Sequence, residues 1–218
     1  MGKTIAEKIL ASHSGKDEVQ PGDYIWCNVD GTAILGHSLL LKRLEALGVE
    51  RLFDPDRIYA VEDHLAPSQT IDAANAMSDL RKLVKKYGIT NFFEYGRHGI
   101  LHELFPNHGY VSPGDLIVSV DSHSTSYGCF NAASTPINEE VPYVLITGQI
   151  WLRVPETIQF NLMGTLPGSE GFVVGKDVIL RIAAEYGTDA AIYKALEFTG
   201  PGISNMSMAG RFSMANMC

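Results

Sequence analysis

The sequence predicts an α/β fold, a mainly parallel sheet with helices on both faces. Apolar runs of strand length alternate with stretches whose apolar residues recur at helical spacing. The runs are continuously apolar, as in strands buried on both sides. Two segments that join acids to imidazoles, Glu62-Asp63-His64 and Asp121-Ser122-His123, follow such runs directly. In parallel α/β sheets the strand C-termini are where loops and helix N-termini converge around a ligand.

Each element has its own signal. Ile5–Ala11 reads as a short amphipathic helix. Pro21-Gly22-Asp23 is a turn into the apolar run Tyr24–Val29, the first expected strand. Leu39–Leu47 has helical spacing and stops at Gly48, a residue that takes the left-handed conformation of a helix C-terminus without strain. Ile58–Val61 is a short strand, and a long helix runs from Thr70 to Tyr87 before Gly88. Asn91–Tyr95 follows, then a turn-rich stretch, a second Pro-Gly-Asp turn at 113–115 and the apolar run Leu116–Val120. Farther on, Tyr143–Ile150 fits helix or strand, Thr157–Met163 alternates like a strand, and Lys176–Tyr186 is helical with Asp177 in its first turn. With no internal repeat, low-complexity tract or linker, residues 1–218 are expected to form one domain.

Seventeen Lys and Arg against twenty-five Asp and Glu give a formal charge of −8. That balance gives nucleic acid or an anionic membrane no electrostatic reason to bind, although a local basic pocket can still hold a small anion. No run approaches the roughly 20 apolar residues of a membrane span, and the charged N-terminus lacks the apolar core of a signal peptide. Cys27, Cys129 and Cys218 are too few and too scattered for a disulfide framework or a CxxC metal cage, so a reducing cytoplasm is expected. The sequence also lacks GxGxxG and GxxxxGK phosphate loops and a GxSxG nucleophile elbow.

Acid–base chemistry is left to three segments: 62–64, Gly99-Ile100-Leu101-His102 and 121–123. An imidazole with one nitrogen held by a carboxylate has a fixed tautomer and raised basicity, which suits proton transfer near neutral pH. Neighbouring residues of a strand point to opposite faces, so each aspartate is expected to orient a histidine from a different segment. A zinc site on His64, His102 and His123 is the rival reading, without an HxH or HExxH spacing behind it. His13, His37, His98 and His108 stand in polar or glycine-flanked surroundings and are expected to be structural.

The motifs EKIL (7–10), DPDR (54–57), EDH (62–64), GILH (99–102), PGDLIVSVDSHS (113–124), VPET (154–157), GKDVIL (175–180), ALEFTG (195–200) and MSMAGRFSMANM (206–217) occur in that order. Together they resemble the N-terminal half of the aconitase superfamily, and most of all its isopropylmalate dehydratase large-subunit branch. The resemblance implies a three-layer α/β/α fold, truncated relative to the family. It also implies a site for hydroxy di- or tricarboxylic acids beside a [4Fe–4S] cluster, whose open iron serves as a Lewis acid. By motif, Asp63 with His64 and His102 with Asp121 match two histidine–carboxylate pairs of the family, and His123 matches the histidine of a third. Ser122 matches a substrate-side contact, Ser126 in the same hydroxyl-rich segment is grouped with it, and Asn216 matches an asparagine near the cluster.

Several family features have no counterpart in the sequence. The cluster cysteines of the family lie in CTN and CxxC segments of its C-terminal half. Cys27 and Cys129 match neither, so this chain is assigned no metal ligand, and a cluster is expected only from a partner chain. The carboxylate partner of His123 belongs just beyond Asn216, and the swivelling domain or small subunit, with its arginines and serine base, has no counterpart either. After DSH, where the family is glycine-rich, the sequence reads CFNAASTPINEE (129–140), and Val29 stands where relatives carry a polar substrate contact. The resemblance thus implies a hydro-lyase or isomerase component that acts on a small hydroxy acid, with a partner chain or as an oligomer. A cluster-free acid–base enzyme of the same fold and a non-catalytic binding or scaffold subunit stay open beside it.

Overall fold

The computed structural model describes residues 2–36, 39–164 and 174–218, which leaves His37 outside the described residues. The first half of the chain forms α1 (Ile5–Ser14), β1 (Tyr24–Asn28), β2 (Gly31–Leu35), α2 (Leu40–Ala46), β3 (Ile58–Val61), α3 (Ile71–Tyr87), β4 (Asn91–Phe93), α4 (Leu101–His108) and β5 (Leu116–Ser119). A 3-10 segment, Ser124–Phe130, precedes β6 (Ala133–Pro136), α5 (Val141–Thr147), β7 (Gln149–Arg153) and β8 (Glu156–Asn161). The chain continues through α6 (Gly175–Tyr186), β9 (Lys194–Thr199), α7 (Pro201–Ser204) and α8 (Met208–Asn216).

Five strands pair in the order β4-β3-β2-β5-β6, and every pairing is parallel. The centre is β2, buried along its whole length. Here the fold departs from the sequence reading. The run Tyr24–Val29 is not a strand of this sheet but contains β1, a ribbon strand paired antiparallel with β7 so that Trp26 faces Trp151. Asp30 interrupts the apolar pattern, which hides the start of β2 in the sequence. The edge strand β6 is hidden too, because Ala133, Ser134, Thr135 and Pro136 give no apolar run. The ambiguous stretch Tyr143–Ile150 holds both elements: α5 stops at Gly148, whose φ of +69° turns the chain into β7.

Strand alternation divides the core into two layers. Ile34, Ile58, Ala60, Leu116 and Val118 pack with Ile9 and Leu10 of α1, Leu44 of α2, Leu80 and Leu83 of α3 and Leu145 of α5. Ala33, Leu35, Val61 and Ile117 face the other way, onto Leu101, Leu104 and Phe105 of α4 and Tyr127 of the 3-10 segment. The result is the expected α/β/α sandwich.

The last third of the chain adds a parallel pair, β8 with β9, and a small core of Ile179, Met206 and Met214 beneath α6 and α8. These helices meet where neither has a side chain: a Cβ on Gly175 would lie 1.8 Å from the Gly210 carbonyl oxygen. That contact lets α8 also reach the 3-10 segment, where Asn216 Nδ2 donates to Ser126 Oγ at 2.9 Å. Among the described residues, no helix is long and apolar enough to cross a membrane.

Candidate active site

Asp63 and His64 follow β3, and Asp121 and His123 follow β5. Both strands pair with β2 in parallel, so their C-termini lie about 10 Å apart, two strand spacings. The first turn of α4 delivers His102 to the same place.

Asp121 is the hub. Its Oδ1 lies 2.5 Å from His102 Nε2 and accepts the His123 backbone N–H at 2.8 Å. Its Oδ2 lies 2.7 Å from His64 Nε2. On its other side His64 Nδ1 is 2.6 Å from Asp63 Oδ1, and Asp63 Oδ2 accepts the Leu101 N–H at 2.8 Å. Asp63 thus fixes both the His64 ring and the start of the helix that carries His102. Asp121 reaches histidines of two other segments, as strand geometry requires. Asp63 does not avoid its neighbour, because residues 63 and 64 lie past the end of β3, where strand alternation no longer applies.

The three histidines are not equivalent. The side chains of His102 and Asp121 are 8% and 6% exposed, whereas those of His64 and His123 are 43% and 53% exposed. The pocket implied by the resemblance is therefore dry only at its floor, with His64 and His123 standing at an open rim.

Burial tends to raise the Asp121 carboxyl, but the His123 N–H, the His102 hydrogen bond and the nearby imidazoles outweigh it and hold the group below the ordinary carboxylate value. Burial pushes His102 below the ordinary imidazole value, helped by His123 and His64 and opposed by Asp121. His64 is moved the other way. Partial burial lowers it, yet the hydrogen bonds and charges of Asp63 and Asp121 together raise it. Since a carboxylate only accepts, the neutral His102 ring must donate its Nε2–H to Asp121. The site therefore sets a proton-rich imidazole at the rim beside a neutral one at the floor.

The remaining predicted residues separate by depth. Ser122 is exposed, its Oγ 3.2 Å from His123 Nδ1. Ser126 is buried, donates to the His123 carbonyl at 2.6 Å and accepts from Asn216. Ser126 is thus enclosed behind His123, and the half-buried Asn216 reaches it from α8. Val29 lies in the core. Two groups that hold this end of the sheet together are illegible in the sequence pattern. Glu62, fully buried, takes a bidentate pair from Arg81 at 2.7 and 2.8 Å and the Tyr95 N–H at 3.2 Å, tying α3 and the end of β4 to β3. Tyr127 is buried against His102, ring centroids 5.7 Å apart. A charge closing a buried strand signals that Glu62 needs a partner, but nothing in the pattern selects Arg81.

Among the described residues, the trio of His, Cys, Asp or Glu groups whose donor atoms all fall within 4.8 Å is His102, Asp121 and His123, not the three histidines. The 2.5 Å from His102 Nε2 to Asp121 Oδ1 is a hydrogen-bond distance. Two ligands of one tetrahedral zinc stand about 3.3 Å apart, given metal–ligand bonds of about 2.0–2.1 Å. The cysteines do not fit an iron–sulfur cluster either. Cys27 donates to the Leu10 carbonyl from within β1, Cys129 lies in the 3-10 segment, and Cys218 donates to the Met214 carbonyl. Burial pushes their thiols up to about 11, 12 and 11 respectively, and the three stand in separate elements, so they do not form the grouped ligand set a cluster needs.

Residues 40–218 match the Aconitase family (aconitate hydratase). The chain belongs to the aconitase family. It is 43% identical over 219 residues to a 3-isopropylmalate dehydratase large subunit of Caldicellulosiruptor bescii, covering 98% of this chain and 50% of that relative. Large subunits of the same name from Thermodesulfovibrio yellowstonii and Aquifex aeolicus are 45% and 44% identical, each over 100% of this chain and 52% and 50% of their own lengths. The chain therefore spans about half the length of the curated relatives it matches.

Proposed function

We propose that this chain supplies the histidine–carboxylate half of a hydro-lyase site that dehydrates and rehydrates a small hydroxy di- or tricarboxylic acid. The observation that carries the reading is the Asp121 carboxylate shared by His64 and His102 at the C-terminal edge of a parallel sheet. His64, raised by its two carboxylates and half-exposed, holds the proton for a departing hydroxyl and delivers it when its Nε2–H turns from Asp121 to the ligand, with Nδ1–H kept on Asp63. His123, at the same rim beside Ser122, faces the ligand from the other side. His102 acts through Asp121, and Asp63 keeps His64 in place. Ser126 and Asn216 position His123 by holding its loop.

The remaining contacts, and any [4Fe–4S] cluster, would come from outside residues 1–218, in the part of the relatives' length that this sequence does not span or in a partner chain. A 3-isopropylmalate-type hydroxy diacid is the first substrate to assay, since the relatives carry that name. A second reading is acid–base chemistry without a cluster, resting on the His64, His102 and Asp121 network, which this chain assembles from its own residues. Dehydration measured on this chain with and without a second, cysteine-bearing polypeptide distinguishes them: activity only in the assembly, together with iron and sulfide, supports the first. Unchanged turnover after both His64→Ala and Asp121→Asn would refute both.

A further inference from the structure

Behind the rim, the layer between the sheet and α4 holds polar atoms with no hydrogen-bond partner among the described residues. They are His102 Nδ1, the Tyr127 hydroxyl, and Ser119 and Ser134 Oγ. The grouping follows from register. Ser134 lies beside Ile117 in the β5–β6 ladder and Ser119 is two residues on, so both serines share the face on which Ile117 packs against Tyr127. Buried polar atoms in folded proteins are paired, with ordered water where no protein group reaches. Two of these atoms complement each other. With Nε2–H given to Asp121, His102 Nδ1 presents only a lone pair. Burial, with the charges of Asp121 and Asp63, pushes the Tyr127 hydroxyl far above its ordinary value, so it keeps its proton and serves as a donor.

We infer that Tyr127 is a positioning residue for His102: its hydroxyl donates, through a bridging water, to His102 Nδ1 and so holds the tautomer whose Nε2–H faces Asp121. The ring geometry supports this. Tyr127 stacks on Phe105 at 5.1 Å with planes 21° apart, and its own ring lies 5.7 Å from the His102 ring, so a residue of α4 holds it against a neighbouring residue of the same helix. His102 is then held from both sides, by a carboxylate acceptor at Nε2 and a hydroxyl donor beyond Nδ1. Its own mobile proton cannot migrate to the buried nitrogen, and Asp121 stays oriented toward His64.

The consequence for turnover rests on the acid–base reading above, but the tautomer does not, so it is measured without substrate. Long-range 1H–15N spectra of the labelled protein at neutral pH should show His102 protonated at Nε2, with Nδ1 resonating as an unprotonated, hydrogen-bonded nitrogen. Tyr127→Phe keeps the ring on Phe105. It should move the Nδ1 resonance toward that of a free lone pair while the Nε2 resonance and the backbone amide spectrum stay in place. A wild-type His102 protonated at Nδ1 would overturn the inference whether or not the variant folds. So would a folded Tyr127→Phe variant with an unmoved Nδ1. Either result leaves the hydro-lyase reading standing, which fails only on the activity of the His64 and Asp121 variants.

Discussion

The sheet carries an aspartate–histidine pair at each of its two edges. At the N-terminal edge, Asp30 Oδ2 lies 2.6 Å from His13 Nε2 and accepts the Leu116 N–H at 2.8 Å, while His13 Nδ1 meets the Ile9 carbonyl oxygen at 2.7 Å. Every nitrogen of that ring has a partner, and the pair ties α1 to the start of β2 and β5. At the C-terminal edge, Asp121 is divided among residues from three segments, and the His64 and His123 rings face outward. The chemical pair is the same. What separates a fastener from a site is whether its rings stand open to solvent and which end of a parallel sheet it occupies.

Substituting the two carboxylates tests that contrast most directly. Asp121→Asn should lower turnover of the assembled enzyme by about 10²–10⁴-fold, the usual worth of positioned proton transfer. Asp30→Asn should leave kcat within about twofold, and an equal loss from both would erase the distinction. The next largest effect is on stability and marks the C-terminal edge as held by more than its site: Glu62→Gln weakens the paired contact to Arg81 and should cost roughly 1.5–3 kcal/mol in urea unfolding. Asp30→Asn should cost about 1 kcal/mol in the same measurement, as a partly exposed fastener would.

The subtlest test is the order in which the histidines titrate, followed by NMR. His64 should titrate above 6.5 and His102 below it. The signs for stability follow by linkage. The His64 contribution is complete below 6.5 and is lost as pH rises through its raised folded value. His102 works in reverse, since the unfolded chain binds its proton first as pH falls below 6.5, so acid destabilises the fold through it. The Asp121 contribution is complete above 3.8 and is lost as pH falls through its lowered folded value. Titration of His102 above His64 would contradict the assignment of floor and rim.

Much of this was legible in the residues. Apolar runs that end in EDH and DSH located the C-terminal edge, because parallel strands buried on both faces leave continuous apolar text and put their loops at one end. The helices declared themselves through spacing and glycine stops at Gly48 and Gly88. The sheet order did not. Asp30 splits β1 from β2, so the central strand reads as the tail of a ribbon, and β6 is written in Ala, Ser, Thr and Pro. Nor did the sequence say which carboxylate would be shared. Asp63 and Asp121 look alike in one dimension, and only the adjacency of β3 and β5 to β2 brings His64 to Asp121. The hydroxyls of Ser126 and Tyr127 were the least legible, since whether such a group lines a ligand face or a core layer depends on a neighbouring helix more than 80 residues away or on one ring stacking.

One carboxylate serving several imidazoles also constrains how the protein can change. Losses at His64 and His102 should not sum, because removing either ring already alters the anion that the other depends on. Replacing the members of this corner one at a time would pass through variants in which Asp121 is left with an unmatched charge, so its substitutions are expected to be tolerated only together.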